Sequence, residues 1–237
     1  MRWQRQDGLL YPKDFLAVAE STDLLISLEG WVLREACTQM GKWAQKDRES
    51  LTLNVNLCPK HYADPNLIGE LHDVLQMSGL ESKRLRLEIT ESALMENTDA
   101  VSQTLSKIQD MNIQLHMDDF GTGYSSLSYL NRFPIDILKV DKSFVGSLGL
   151  NEETWKIVQA IVSLGKNLEM ELIAEGIENI TQLRMLQTLK CEYGQGYYFA
   201  KPMEPEAIEH LVSGHLPWMV AFDSSTIRTF PYAVEAK

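Results

Sequence analysis

Apolar residues recur along this chain at two spacings. Between positions 24 and 46, Leu25, Leu28, Val32 and Cys37 fall roughly on one stripe, the period of a helix with one buried face, and 15–20 follows the same pattern. Short β-branched runs then arrive at 51–57, 84–90, 112–118, 135–140, 171–175 and 194–199, and each predicts a strand. Helical periodicity fills the gaps at 65–77, 98–111, 152–167 and 180–189, with a last helix at 205–212. Asp64, Asn97 and Asn151 are suited to cap helix N-termini, and Gly79 to stop a helix. Strand followed by helix, repeated, predicts an α/β fold with a parallel sheet, and about eight such units close a barrel. The pattern supplies six strands, and nothing before Leu51 has the length of a full one. The remaining strands are expected upstream of Met1.

Residues two apart share a face of a strand. That period groups Asn54 with Asn56, Arg86 with Glu88, Gln114 with His116 and Asp118, and Lys139 with Asp141, while Glu175 closes a strand. A polar face is ordinary for antiparallel strands with one wet side. Between helices, however, parallel strands are buried on both faces, where unpaired charge is costly. Asn56, Glu88, Asp118, Lys139 and Glu175 each fall at or near a strand C-terminus, the rim at which a barrel gathers its chemistry. Oxygen donors beside a lysine suit hard cations such as Mg2+, Mn2+ or Ca2+. Adjacent Asp118 and Asp119 can serve one site only where the strand ends and the backbone turns, and Gly121 and Gly123 supply freedom to turn.

Plainer readings stand beside these. The run after Asp119 could be only a glycine-rich turn, Lys139 a structural ion-pair partner, and Glu175 with Glu178 a helix N-terminal preference. His61, His72, His116, His210 and His215 lack ligand spacing and read as structural or surface residues.

Composition narrows the partners. The chain has 237 residues with 44% hydrophobic and 23% charged positions, ordinary for a globular fold. Its formal charge of −11 argues against a basic face for a nucleic-acid polymer or an anionic membrane. An acidic protein acting on a phosphate ester needs cations between itself and that substrate. Cys37, Cys58 and Cys191 form no CxxC pair, so a reducing, cytoplasmic setting is expected. No apolar run is long enough for direct membrane insertion, although the chain could be the cytoplasmic part of a membrane-anchored protein.

The run from Asp118 and Asp119 through Phe120-Gly-Thr-Gly-Tyr-Ser-Ser to Leu127 resembles the DDFGTGYSSL signature of EAL-domain cyclic di-GMP phosphodiesterases. Val55-Asn56-Leu57, Leu87-Glu88-Ile-Thr-Glu91-Ser92, Leu138-Lys139-Val-Asp141, Ala174-Glu175-Gly-Ile-Glu178 and Gln195-Gly-Tyr197 follow that family's order, ending in Ala200-Lys201-Pro202. The resemblance covers Arg2 to about Val212 and leaves 217–237 as a tail outside the EAL domain of 1–216. It implies a TIM-like (β/α)8 barrel of the EAL type, incomplete at its N-terminus, that linearises cyclic di-GMP to 5'-pGpG with two ions, Mg2+ or Mn2+. Carried over, Asn56, Glu88, Asp118, Asp119 and Glu175 match metal ligands, and Lys139 and Glu175 match catalytic groups. Arg2 and Gln195 match substrate contacts, and Glu178 matches the glutamate that steadies the loop after Asp119. The family's E-A-L-x-R-W stretch survives only as Met1-Arg2-Trp3, which puts the namesake glutamate three residues before Met1 and leads us to expect impaired hydrolysis. A non-catalytic cyclic di-GMP-binding or protein-interaction module is the alternative. The resemblance also implies a homodimer and an attached sensory or GGDEF (diguanylate cyclase) domain.

Overall fold

The computed structural model describes residues 1–22, 24–44, 51–96, 98–122, 130, 132–213 and 228–229. They divide into two compact units, Met1–Leu115 and His116–Tyr232.

The first unit opens with an antiparallel pair, β1 (Trp3–Arg5) and β2 (Gly8–Leu10). At three residues each, these strands are too short to register in a periodicity reading. Next come α1 (Pro12–Glu20), α2 (Leu24–Ala44), β3 (Leu53–Asn56), a single turn α3 (Pro59–Tyr62), α4 (Leu67–Ser78), β4 (Leu85–Thr90), α5 (Glu91–Glu96) and α6 (Thr98–Asp110). Three helices bury the same spacing: Leu33, Cys37 and Met40 on α2, Leu67, Leu71 and Val74 on α4, and Val101, Leu105 and Ile108 on α6. These stripes meet the conditions for packing on a sheet. Strands β3 and β4 pair in parallel with Asn54 opposite Arg86 and Asn56 opposite Glu88.

The second unit contains β5 (Gln114–Phe120, which starts at the end of the first), β6 (Ile137–Val140), α7 (Lys142–Gly146), α8 (Glu152–Asn167), β7 (Glu171–Ala174), α9 (Ile180–Thr188), β8 (Tyr193–Gly194), α10 (Pro205–Ser213) and β9 (Arg228–Thr229). Each of β5 to β8 pairs in parallel with the next strand. All four residues of β6 are buried, as parallel strands covered on both faces require. Part of the tail, Arg228–Thr229, lies beside β8.

The α/β class and the strand–helix alternation agree with the sequence, and several boundaries move. The strand expected at 194–199 stops at Gly194, because the chain turns back there with Phe199 N–H donating to Gly196 O at 3.0 Å. Asp64 does not cap α4. Asn66 occupies the cap position, and Asp64 Oδ1 instead accepts the Asn66 amide at 2.9 Å in a turn. Asn151 caps α8 by accepting Thr154 N–H at 2.7 Å, and Gly79 ends α4 in the left-handed region at φ 65°. Asn97 and Gly123 lie outside the described residues.

Candidate functional site

In the first unit, Asn56 ends β3 and Glu88 lies two residues before the end of β4. Glu88 is 1% exposed, and its Oε1 accepts a hydrogen bond from Asn54 Nδ2 at 2.8 Å. Its backbone carbonyl accepts from Leu57 N–H at 3.2 Å and from the Tyr62 hydroxyl at 3.1 Å. Burial, reinforced by the charges of Glu29 and Glu88, pushes the Tyr62 phenol well above its ordinary range, so it stays a donor. Arg2 sits at the start of the hairpin with its guanidinium 5.8 Å from the centre of the Tyr11 ring.

In the second unit, Lys139 is fully buried in β6, and its ammonium lies 2.6 Å from Glu175 Oε1 and 3.2 Å from Asp118 Oδ1. These carboxylates come from the strands on either side, because β6 lies between β5 and β7 and Glu175 follows the last residue of β7 directly. The formal charge of the trio is −1. Burying such a group is costly unless its charges are paired and hydrogen-bonded.

At Asp118 and Asp119 the strand departs from regular pairing, with Asp118 buried and Asp119 exposed. The register of β5 against β6 slips between Met117 and Phe120, and Asp119 itself adopts φ 55°. A bulge re-aims side chains at a strand end, and aspartate is among the few residues that tolerate the left-handed region. The strand nevertheless runs on to Phe120, and the turn follows at Gly121, φ 92°. Asp119 N–H donates to Asp118 Oδ1 at 3.0 Å.

Two residues past Lys139, Asp141 caps α7. Burial alone would raise its pKa, but hydrogen bonds from the Ser143 hydroxyl and amide hold it below the usual carboxylate range. After Glu175 the chain turns at Gly176, φ 71°, where a Cβ would lie 2.6 Å from Lys142 Cβ; only glycine fits. Gln195 follows β8 directly, and its N–H donates to Ala174 O at 2.8 Å, so its backbone is fixed beside the end of β7. Glu178 is exposed, its N–H held by Gln182 Oε1 at 2.8 Å; most of the loop it is expected to steady, 123–129, lies outside the described residues.

The candidate donors are all carboxylate or amide oxygens. Burial pushes the Cys37 and Cys191 thiols up to about 12, and burial with the Glu29 charge takes Cys58 to about 11, so none offers a thiolate to a soft metal. Among the described residues no three His, Cys, Asp or Glu side chains gather tightly enough to enclose an ion by themselves. No described helix is long and apolar enough to cross a membrane. The sequence reading missed Asn54 as a partner of Glu88: it shares a face with Asn56, but only coordinates show which carboxylate it reaches.

The EAL domain profile matches residues 1–202. Cyclic di-GMP phosphodiesterase NbdA of Pseudomonas aeruginosa is 37% identical over 216 residues, 91% of this chain and 28% of the relative. The bifunctional diguanylate cyclase/cyclic di-GMP phosphodiesterase MucR of the same organism is 38% identical over 209 residues, 88% of this chain and 30% of the relative. This chain therefore spans under a third of the length of either protein. Among solved structures, the PaMucR phosphodiesterase in complex with c-di-GMP matches with a TM-score of 0.83 at 38% identity, covering 87% of this chain and 84% of that one.

Proposed function

This chain belongs to the EAL-domain family, and from that premise we propose that it is a phosphodiesterase module that opens cyclic di-GMP to linear 5'-pGpG within a larger bacterial signalling protein. The observation that supports the reading most directly is the buried Lys139 ammonium held 2.6 Å from Glu175 and 3.2 Å from Asp118 at the ends of neighbouring parallel strands.

Asn56, Glu88, Asp118, Asp119 and Glu175 are the residues that would hold Mg2+ or Mn2+. Their all-oxygen chemistry fits hard cations, and water and phosphate oxygens would complete the shell, as is usual for Mg2+. Bound divalent ions supply Lewis acidity, neutralising the phosphodiester and making a water acidic enough to attack near neutral pH. Lys139 orients the attacking water by donating a hydrogen bond to its oxygen. Glu175, already against the ammonium, takes the water's proton. A bond forms between that oxygen and phosphorus, the bond from phosphorus to the 3'-oxygen breaks, and the departing 3'-oxygen takes up the proton that Glu175 accepted. Arg2 binds phosphate, Gln195 contacts guanine, and Glu178 steadies the loop after Asp119. A cytoplasmic setting, a homodimer and an attached sensory or GGDEF domain belong to the same proposal, the last supported by the two-activity name of MucR.

The test is incubation with cyclic di-GMP and Mn2+ or Mg2+, chromatography for the linear product, and calorimetric titration of the nucleotide. Two chains are compared, these 237 residues and a version extended upstream through the namesake glutamate. Metal-dependent product, faster from the longer chain, is expected. Tight nucleotide binding without product from either chain would support the non-catalytic binding module instead.

A further inference from the structure

We propose that Asn54 is a positioning residue that sets the orientation of the Glu88 carboxylate for a divalent ion, a role that rests on reading Glu88 as a ligand. Asn54 and Glu88 are each 1% exposed and lie on neighbouring parallel strands, with Asn54 Nδ2 2.8 Å from Glu88 Oε1. An ionised carboxylate only accepts hydrogen bonds, so the amide NH2 must donate, and the direction of the bond is fixed by chemistry. The backbone of Glu88 is already held at its carbonyl by Leu57 N–H and the Tyr62 hydroxyl. At the side chain, the Asn54 bond restrains Oε1.

Charge distinguishes this support from the Lys139 arrangement. A neutral amide orients a carboxylate without itself cancelling its charge. Groups that orient metal ligands in this way typically change metal affinity by about 10- to 100-fold when removed.

The test is Mn2+ binding by the 237-residue chain, followed by calorimetry and by the Mn2+ electron paramagnetic resonance spectrum. Asn54→Leu keeps the shape and removes the donor; Asn54→Ala, which adds no volume, is measured beside it in case leucine prevents folding. Either folded variant is expected to bind Mn2+ about tenfold more weakly and to give an altered spectrum. If Asn54 only fills a structural place, melting temperature falls while affinity and spectrum stay as in the unaltered chain, and the proposal is overturned. Failure of the unaltered chain to bind Mn2+ at all would overturn the metal reading itself, and this inference with it.

Discussion

Two buried basic groups in this protein each sit between a pair of carboxylates, and they differ in what is left over. In the first unit, His61 is fully buried with Nδ1 3.0 Å from Glu29 Oε2 and Nε2 3.1 Å from Glu70 Oε2. Arg34 completes that group 2.7 Å from Glu70 Oε1, and Glu29 also accepts the Cys58 amide at 2.9 Å. With His61 protonated, the two cations and two anions balance. In the second unit, Lys139 faces Asp118 and Glu175, and the three carry a formal charge of −1. A balanced cluster is closed and works as a structural clamp. A trio with excess formal charge at strand ends suits a further cation, which the proposed phosphodiesterase chemistry calls for. On the proposed function the same local pattern serves two purposes, and formal charge tells them apart.

The largest expected effect comes from Lys139→Met, which keeps much of the side chain's bulk and removes its charge. Asp118 and Glu175 would then be buried without their cation, and breaking such a group typically costs about 3–5 kcal/mol. Denaturant unfolding at neutral pH without metal measures this, and product formation from cyclic di-GMP should fall to background. Added Mn2+ should restore part of the variant's stability, because a second cation can stand in for the first. A variant as stable as the parent, and indifferent to Mn2+, would break the contrast by showing that the charge around Lys139 is already matched.

His61→Gln should act on stability and leave chemistry nearly untouched. Burial alone would lower the His61 pKa, but the hydrogen bonds and charges of Glu29 and Glu70 outweigh it, and the net direction is above the ordinary 6.5. A histidine held protonated in the fold contributes its full stabilisation below the unfolded pKa and loses it as pH rises through the elevated folded value. The parent should therefore exceed His61→Gln by about 1–3 kcal/mol in mildly acidic solution, the range for charge-assisted hydrogen bonds, with the gap shrinking as pH rises. Unfolding curves across that pH range give the slope. A gap that widens with pH would mean that the clamp works with neutral imidazole, and the comparison with Lys139 would fail.

Sequence carried the alternation of strands and helices, because three-to-four-residue stripes such as Leu67, Leu71 and Val74 are direct consequences of burying one helix face. It also carried Lys139, since a lysine inside an apolar parallel strand is anomalous wherever it occurs. Other features left no mark on periodicity. The bulge at Asp118 and Asp119 replaces an expected simple turn, and one slipped register changes no residue's hydrophobicity. The capping of α4 depends on which of Asp64 and Asn66 the backbone presents, and both are good cap residues. His61 was read with the other histidines as structural or surface, and its partners come from positions 29 and 70, which no local window connects.

The smallest effect tests whether the balance at His61 is as described. Arg34 is half exposed, so its pair with Glu70, despite the 2.7 Å distance, should contribute only a few tenths to about 1 kcal/mol, less in high salt. Arg34→Gln should accordingly change stability little at any one pH. Its informative consequence is a direction. Removing Arg34 takes a positive charge away from the neighbourhood of the His61 proton and leaves Glu70 to His61 alone, so imidazolium becomes easier to keep. The pH range over which the clamp is lost should move upward relative to the parent, and the displacement should shrink as salt screens the guanidinium. Nitrogen-15 chemical shifts of the His61 ring, followed through a pH titration, report this directly. A downward displacement would show that Arg34 supports the protonated histidine through the geometry of Glu70 more than it opposes it through charge, and the cluster would then be a positioned network instead of a balance of charges.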